Sequence, residues 1–252
     1  MLAPDYAPLV AYDACFAMVE AHTGEVVARM NPARCARRFV PCSTFKVPLA
    51  LMALDHGLIT ETSRFKWDRK PHQYAGWNAD QTTTTWLSES VVWVSQLLAP
   101  KLGRATMHDE LAAFGYGDAD TSGAIDSFWL TAFTQPTLHV SADEQLAFWQ
   151  RLENGKLPVK HASLVALRHV LPSWKDAQGD LLTGKTGSGR LPSGRQIGWF
   201  VGTIKAQGHT YALACNLEAK VDQPAGLETR RLVRGILASV GWWVEPTAKP
   251  GS

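Results

Sequence analysis

The sequence predicts an α+β fold: a central antiparallel β-sheet flanked by helices, joined to a mostly helical lobe. Three observations carry this. β-rich runs sit at both ends of the chain, helical periodicities fill its middle third, and a strongly apolar segment follows the first strands. One domain is expected over residues 1–252, its sheet drawn from about 10–35 and 180–245 and its helical lobe from about 60–175.

The first element is a β-hairpin. Residues 15–20 and 25–30 are apolar and β-rich, and they flank Ala21-His22-Thr23-Gly24, a turn containing glycine. Next comes Val47-Pro48-Leu49-Ala50-Leu51-Met52-Ala53-Leu54, stopped by His56-Gly57 in the manner of a helix C-terminus. A helix apolar on every side belongs in a core, and Pro48 fits it only within the first turn or two. Residues 90–98, 104–114 and 141–152 each keep a helical period, the last opened by the capping box Ser141-Ala142-Asp143-Glu144. Residues 181–185, 196–204 and 210–218 return to strand character between glycine-containing turns. A last helix is expected over about 227–239, and the tail after Glu245 reads as disordered.

Composition narrows the function classes. Hydrophobic residues make up 46% and charged residues 19%, as in ordinary globular chains. The net charge is +2 with no run of five like charges, so neither nucleic acid nor a membrane surface is implied as partner. The longest apolar stretch is far too short to span a bilayer. Met1-Leu2-Ala3-Pro4-Asp5 shows neither the basic nor the apolar part of a secretory leader, so a mature form is expected. The eight histidines are scattered without HxH or HExxH spacing, and Cys15, Cys35, Cys42 and Cys215 form no CxxC pair, so no metal is expected. A short-loop disulfide between Cys35 and Cys42 is one reading of the cysteines; four buried thiols is the other. Nothing in the sequence sets an oligomeric state.

The chemistry gathers in two short motifs. In Ser43-Thr44-Phe45-Lys46, a helix beginning here puts Ser43 and Lys46 three residues apart on one face. A serine hydroxyl becomes a nucleophile only when a neighbouring base takes its proton. Burial among Val47, Leu51 and their neighbours would lower the lysine pKa and free the amine for that task. N–H groups at the helix start could also stabilise an oxyanion. Taken alone, Ser-x-x-Lys is also a common surface helix turn. Lys185-Thr186-Gly187, at the end of an expected strand, could hold a substrate carboxylate or be a plain solvated strand end.

In this order the two motifs mark penicillin-recognising serine enzymes. Between and after them stand Ser90-Val91-Val92, Tyr116-Gly117-Asp118, Ser127-Phe128-Trp129-Leu130 and Gly198-Trp199-Phe200-Val201-Gly202. The series resembles the class D β-lactamases, whose motif order is Ser-Thr-Phe-Lys, Ser-x-Val, Tyr-Gly-Asn, Phe-Trp-Leu and Lys-Thr-Gly. The resemblance runs from about Cys15 to Ser239.

The resemblance implies a role for each matching residue. Ser43 would attack the β-lactam carbonyl and become acylated. Lys46, N-carboxylated by carbon dioxide or bicarbonate, would be the general base for acylation and for the deacylating water, with no other cofactor. Trp129 would donate its indole N–H to that group, and Val92 and Leu130 would cover it. Ser90 would relay a proton toward the leaving nitrogen with Lys185 nearby. Ser43 and Ser188 would supply the oxyanion N–H groups, and Thr186, Gly187 and Arg230 (Arg231 as the alternative) would meet the substrate carboxylate. A small-molecule β-lactam, penicillin-type, is the implied partner, antibiotic resistance the outcome, and the periplasm or exterior the implied location.

The rivals divide on single positions. A β-lactam sensor domain shares Ser-Thr-x-Lys but carries a polar third residue in the Ser-x-Val element, where this chain has Val92. Transpeptidases carry Ser-x-Asn there, and class A enzymes Ser-Asp-Asn. One departure stands inside the resemblance: Asp118 occupies the Asn position of Tyr-Gly-Asn. It is harmless if the loop is structural and alters charge preference if it faces substrate. Residues 70–81, with Trp77, are expected to border the cleft.

Overall fold

A computed structural model describes residues 3–131 and 135–246. Six strands form one antiparallel sheet: β1 (Asp13–Glu20), β2 (Val26–Met30), β3 (Ser173–Lys175), β4 (Leu181–Arg190), β5 (Gln196–Ala206) and β6 (His209–Ala219), in the spatial order β2-β1-β6-β5-β4-β3. The N-terminal hairpin therefore pairs with the C-terminal strand, Asp13 opposite Glu218 and Glu20 opposite Tyr211. The expected hairpin is present, with Gly24 at φ +77° where a side chain would be strained.

Seven of the eight β1 residues are buried. Cys15, Ala17 and Val19 face the helical lobe, while Ala14, Phe16 and Met18 face the other side of the sheet. Covering both faces explains why the strand reads as a continuous apolar run instead of alternating.

The longer helices are α1 (Lys46–Asp55), α2 (Val92–Leu102), α3 (Arg104–Ala113), α4 (Ala142–Glu153), α5 (His161–Val170) and α6 (Ala225–Ser239). α1 is the expected core helix, buried from Lys46 through Ala53. Pro48 lies in its first turn, where a proline is tolerated. α4 opens with the expected capping box: Ser141 Oγ accepts from Glu144 N at 3.1 Å, and Ser141 N donates to Glu144 Oε2 at 2.8 Å. α6 packs Leu232, Val233, Ile236 and Leu237 beneath the sheet.

Two expectations are corrected. α2 begins at Val92, so Ser90 lies before the helix in a left-handed conformation at φ +59°. β4 runs on to Arg190, which places Lys185-Thr186-Gly187 inside the strand. β3 and α5 were not anticipated: β3 is three residues long, and the Leu164, Leu167 and Val170 spacing of α5 was legible but unused. All four cysteines are free and buried, so of the two readings the buried thiols hold and the Cys35–Cys42 bridge is absent. The Cys35 thiol instead meets Phe16 O at 3.8 Å and Met30 O at 3.5 Å. The disordered tail expected after Glu245 lies, beyond Pro246, outside the described residues.

The core around α1 carries stability. Leu51 is fully buried, and Leu51→Ala is expected to cost about 2–5 kcal/mol. Denaturant melts read at fixed pH check this; a loss under ~1 kcal/mol would mean that the neighbours collapse into the cavity.

Candidate active site

The nucleophile candidate sits on a tight turn. A 3-10 turn over Cys42–Phe45 leads directly into α1, and Cys42 holds φ +51°. A non-glycine residue in that region costs about 1–3 kcal/mol and persists only when its surroundings hold it. Here they do: Thr44 Oγ1 donates to Pro41 O at 2.8 Å, Gln145 Nε2 donates to Thr44 Oγ1 at 2.7 Å, and Trp199 Nε1 donates to Val40 O at 3.0 Å. The turn also lies close under β4. A Cβ on Gly187 would meet Pro41 O at 2.8 Å, and one on Gly189 would meet Cys42 Sγ at 2.6 Å. Glycine at 187 is thus required for the strand to approach the serine.

Two lysines converge on two serines. Lys46 Nζ donates to Ser43 Oγ at 3.0 Å, and Lys185 Nζ donates to Ser90 Oγ at 2.8 Å and to Thr186 O at 3.1 Å. Both lysines are buried. Burial, reinforced by the Lys185 charge, holds the Lys46 amine well below the ordinary lysine range. Burial and then the nearby Arg230 charge lower Lys185 to about 7, with Glu89 pulling the other way. No carboxylate pairs with Lys46 among the described residues, so nothing offsets that lowering, and the unprotonated amine could accept the Ser43 proton at the same separation.

Trp129 lies beside Lys46's turn, its ring 4.8 Å from that of Phe45 and 5.0 Å from that of Phe128. Its indole Nε1 is buried and has no hydrogen-bond partner among the described residues. A buried unmet donor costs about 1–3 kcal/mol, so this one calls for an acceptor.

The cleft is about 620 Å³ and opens on Ser43. Ser90, Val92, Leu130, Thr186, Ser188 and Arg230 line it with Ser43, while Lys46, Lys185, Gly187 and Trp129 lie behind the lining. Ser188 Oγ accepts from Gly226 N at 2.8 Å, tying β4 to the start of α6. Arg231, the alternative to Arg230, is 66% exposed and paired with Glu228 at 2.6 Å, and it does not line the cleft. Tyr74, Gly76 and Trp77 form one wall, as expected for residues 70–81, with Trp77 Nε1 donating to Glu89 O at 2.9 Å. Glu89, Thr131, Arg190 and the loop from Asp222 to Pro224 also line it and were missed. Position beside a motif was the only signal for Glu89 and Thr131; the loop has none, because the turn between β6 and α6 is brought there by folding.

Asp118 belongs elsewhere. Its Oδ1 accepts from Asp120 N at 3.2 Å and from His139 N at 3.0 Å, and Gly117 packs so close to His139 O that a Cβ would lie 2.1 Å away. Tyr116, fully buried, reaches Thr44 at 3.5 Å. The Tyr-Gly-Asp element therefore props the serine turn through Tyr116, while Asp118 caps an exposed loop away from the cleft. Asp118→Asn is expected to leave kcat/KM within about twofold of the parent in steady-state assays, because surface changes of this kind cost only tenths of a kcal/mol.

Comparison with known proteins now meets this geometry. The family described as the penicillin binding protein transpeptidase domain matches residues 14–237. β-Lactamase OXA-1 of Escherichia coli is 35% identical over 213 residues, covering 81% of this chain and 76% of that one. β-Lactamase OXA-48 of Klebsiella pneumoniae is 36% identical over 200 residues, covering 78% and 72%. The chain belongs to the class D β-lactamases. Solved class D structures superpose accordingly: the BAT-2 delta mutant at TM-score 0.86 and 28% identity, with 97% of each chain covered, and BPu1 β-lactamase at 0.86 and 30%, covering 99% and 100%. As a class D β-lactamase the protein is a hydrolase of β-lactam rings, and the sensor alternative is not favoured. No helix among the described residues of the enzyme is long and apolar enough to cross a membrane.

Proposed function

We propose that this class D β-lactamase hydrolyses penicillin-type antibiotics through an acyl-enzyme on Ser43, with an N-carboxylated Lys46 as the general base. The observation that carries it is a fully buried Lys46 amine with its pKa held well below the ordinary lysine range, together with a buried Trp129 indole N–H that meets no acceptor among the described residues. A carboxylate carried on Lys46 would supply a base of ordinary carboxylate strength inside a dry pocket and an acceptor for that indole N–H. These residues fit the group.

The remaining steps belong to the chain's own side chains. The substrate carboxylate binds Arg230 and Thr186, which sets the β-lactam carbonyl between Ser43 and β4. Ser43 Oγ attacks as its proton passes to the Lys46 side, and the N–H groups of Ser43 and Ser188 receive the oxyanion. As the C–N bond breaks, Ser90 Oγ hands its proton to the leaving nitrogen, and Lys185, 2.8 Å away, resupplies it. Its pKa of about 7 suits that exchange at neutral pH. Val92 and Leu130 exclude bulk water from the base, leaving room for the single molecule that hydrolyses the ester. The periplasm or the exterior of the cell is the location we assign, since the substrate is met there.

The test is turnover of nitrocefin and benzylpenicillin across a bicarbonate series, with intact mass in parallel. Many turnovers per enzyme, accelerated by bicarbonate, are expected. A single stoichiometric acylation without turnover would overturn the hydrolytic reading, and turnover indifferent to bicarbonate after degassing at acidic pH would overturn the carboxylated lysine.

A further inference from the structure

Arg230 is half-buried at the cleft wall, and among the described residues no carboxylate forms an ion pair with it. What it touches is an aromatic face: its guanidinium carbon lies 4.6 Å from the centroid of the Trp174 ring. One helical turn on, Arg234 lies 5.5 Å from the same ring and 4.9 Å from that of Trp243. Two cations thus share one indole, on the strand that borders β4.

Trp174 is firmly placed. It stands opposite Leu182 in the β3–β4 pairing, and its ring is 6.1 Å from that of Phe200 on β5. The segment after α6 closes over it from the far side: Ala177 N donates to Val244 O at 2.9 Å, and Val244 N donates to Asp176 Oδ2 at 2.9 Å. Arg234 forms an ion pair with Glu245 at 3.9 Å, whereas Arg230 forms none among the described residues and feels Glu245 only as a more distant charge. An arginine side chain loses rotamer freedom when fixed, so an anchor that must wait for its substrate gains from a surface that fixes it beforehand. An aromatic face does this without neutralising the charge, because it presents no anion to compete with the substrate carboxylate. Burial and then the Arg234 charge hold the Arg230 pKa below its ordinary value, with Glu245 pulling the other way, and a carboxylate at Arg230 would relieve that repulsion.

We propose that Trp174 is a positioning residue for substrate binding: its indole face holds the Arg230 guanidinium at the cleft wall, ready for the β-lactam carboxylate. This rests on the reading of Arg230 as the carboxylate anchor.

The experiment compares the full-length enzyme with Trp174→Leu, Trp174→Phe and Arg230→Ala on benzylpenicillin and on its methyl ester. Trp174→Leu keeps an apolar side chain but has no π face, and it is expected to raise KM for the acid about three- to tenfold with kcat within about twofold. Trp174→Phe is expected to recover most of that loss, and the ester is expected to show no difference between parent and Trp174→Leu. An unchanged KM in Trp174→Leu beside a raised KM in Arg230→Ala would overturn the positioning role and leave the anchor standing. Equal losses on acid and ester would overturn it too, by exposing a merely structural part. Were Arg230→Ala itself to keep the parent KM, the anchor reading would fail and the role of Trp174 with it.

Discussion

Lys46→Ala is expected to lower penicillin turnover about 10³- to 10⁵-fold, the scale of a lost base that serves both halves of a covalent mechanism. The structure explains why no neighbour can substitute. Ser43 Oγ has Lys46 Nζ at 3.0 Å, while the other lysine of the cleft, Lys185, is engaged by Ser90 and Thr186 O. The variant should still bind substrate, because Arg230, Thr186 and Ser188 are untouched. Slow acylation followed by arrest is therefore the expected sequence of events, and intact mass spectrometry would show one substrate mass persisting on the protein for hours. Removing the lysine also removes a charge-bearing group from a buried site, so the melting temperature is not expected to collapse. Rapid return of the free enzyme mass, with turnover near the parent rate, would refute the assignment of Lys46 as base.

The second large effect is conditional. In Trp129→Phe an aromatic ring still packs beside Phe45 and Phe128, while the indole N–H is lost together with part of the ring volume. A hydrogen bond to a charged group is worth about 1.5–3 kcal/mol, so carbon dioxide should be held about 10- to 150-fold more weakly. Activity at ambient carbon dioxide should fall accordingly and return on adding bicarbonate, while the parent responds far less. Acidity should magnify the difference. The Lys46 amine reacts with carbon dioxide only when unprotonated, and its pKa is depressed by burial. The modified, active form is therefore favoured above that depressed pKa and is lost as pH falls through it. Added bicarbonate should move the acid limb of the rate profile downward in pH. A Trp129→Phe enzyme with full turnover in bicarbonate-free buffer would dispose of the carboxylated lysine.

Much of this was legible in the sequence because local patterns and motif residues coincide. The hairpin ahead of the serine, the apolar run from Val47, the capping box at Ser141 and the β-rich runs near the C-terminus each carry their own signal, and each forms the expected element. Ser43, Lys46, Ser90, Trp129 and Lys185 were nominated from motif order; Ser43 and Ser90 line one cleft, with Lys46 and Lys185 hydrogen-bonded to them and Trp129 packed on Phe45. The base's chemistry was also readable: a lysine at the head of an all-apolar helix is buried, and burial alone argues a neutral amine.

Folding decided the rest, since those features depend on chain segments far apart in sequence. Pairing of the two ends of the chain puts β4 against the serine turn, and only that approach shows why Gly187 cannot carry a side chain. The choice between Arg230 and Arg231 is one step of helical rotation, about 100°, invisible in composition but decisive for which guanidinium faces the cleft. Asp118 looked ambiguous as a motif departure until its carboxylate was seen to accept backbone N–H groups from Asp120 and His139 in an exposed loop. The cysteine spacing suggested a short bridge, yet Cys35 turns toward β1 and Cys42 toward Gly189. Trp174 gave no signal at all: a three-residue edge strand has no periodicity to read, and its ring acquires meaning only where α6 lays Arg230 across it. Sequence determined which elements form and which residue types carry the chemistry, because those depend on neighbours within a few positions. Tertiary structure alone determined orientation, approach and partner, because these depend on long-range packing of buried side chains.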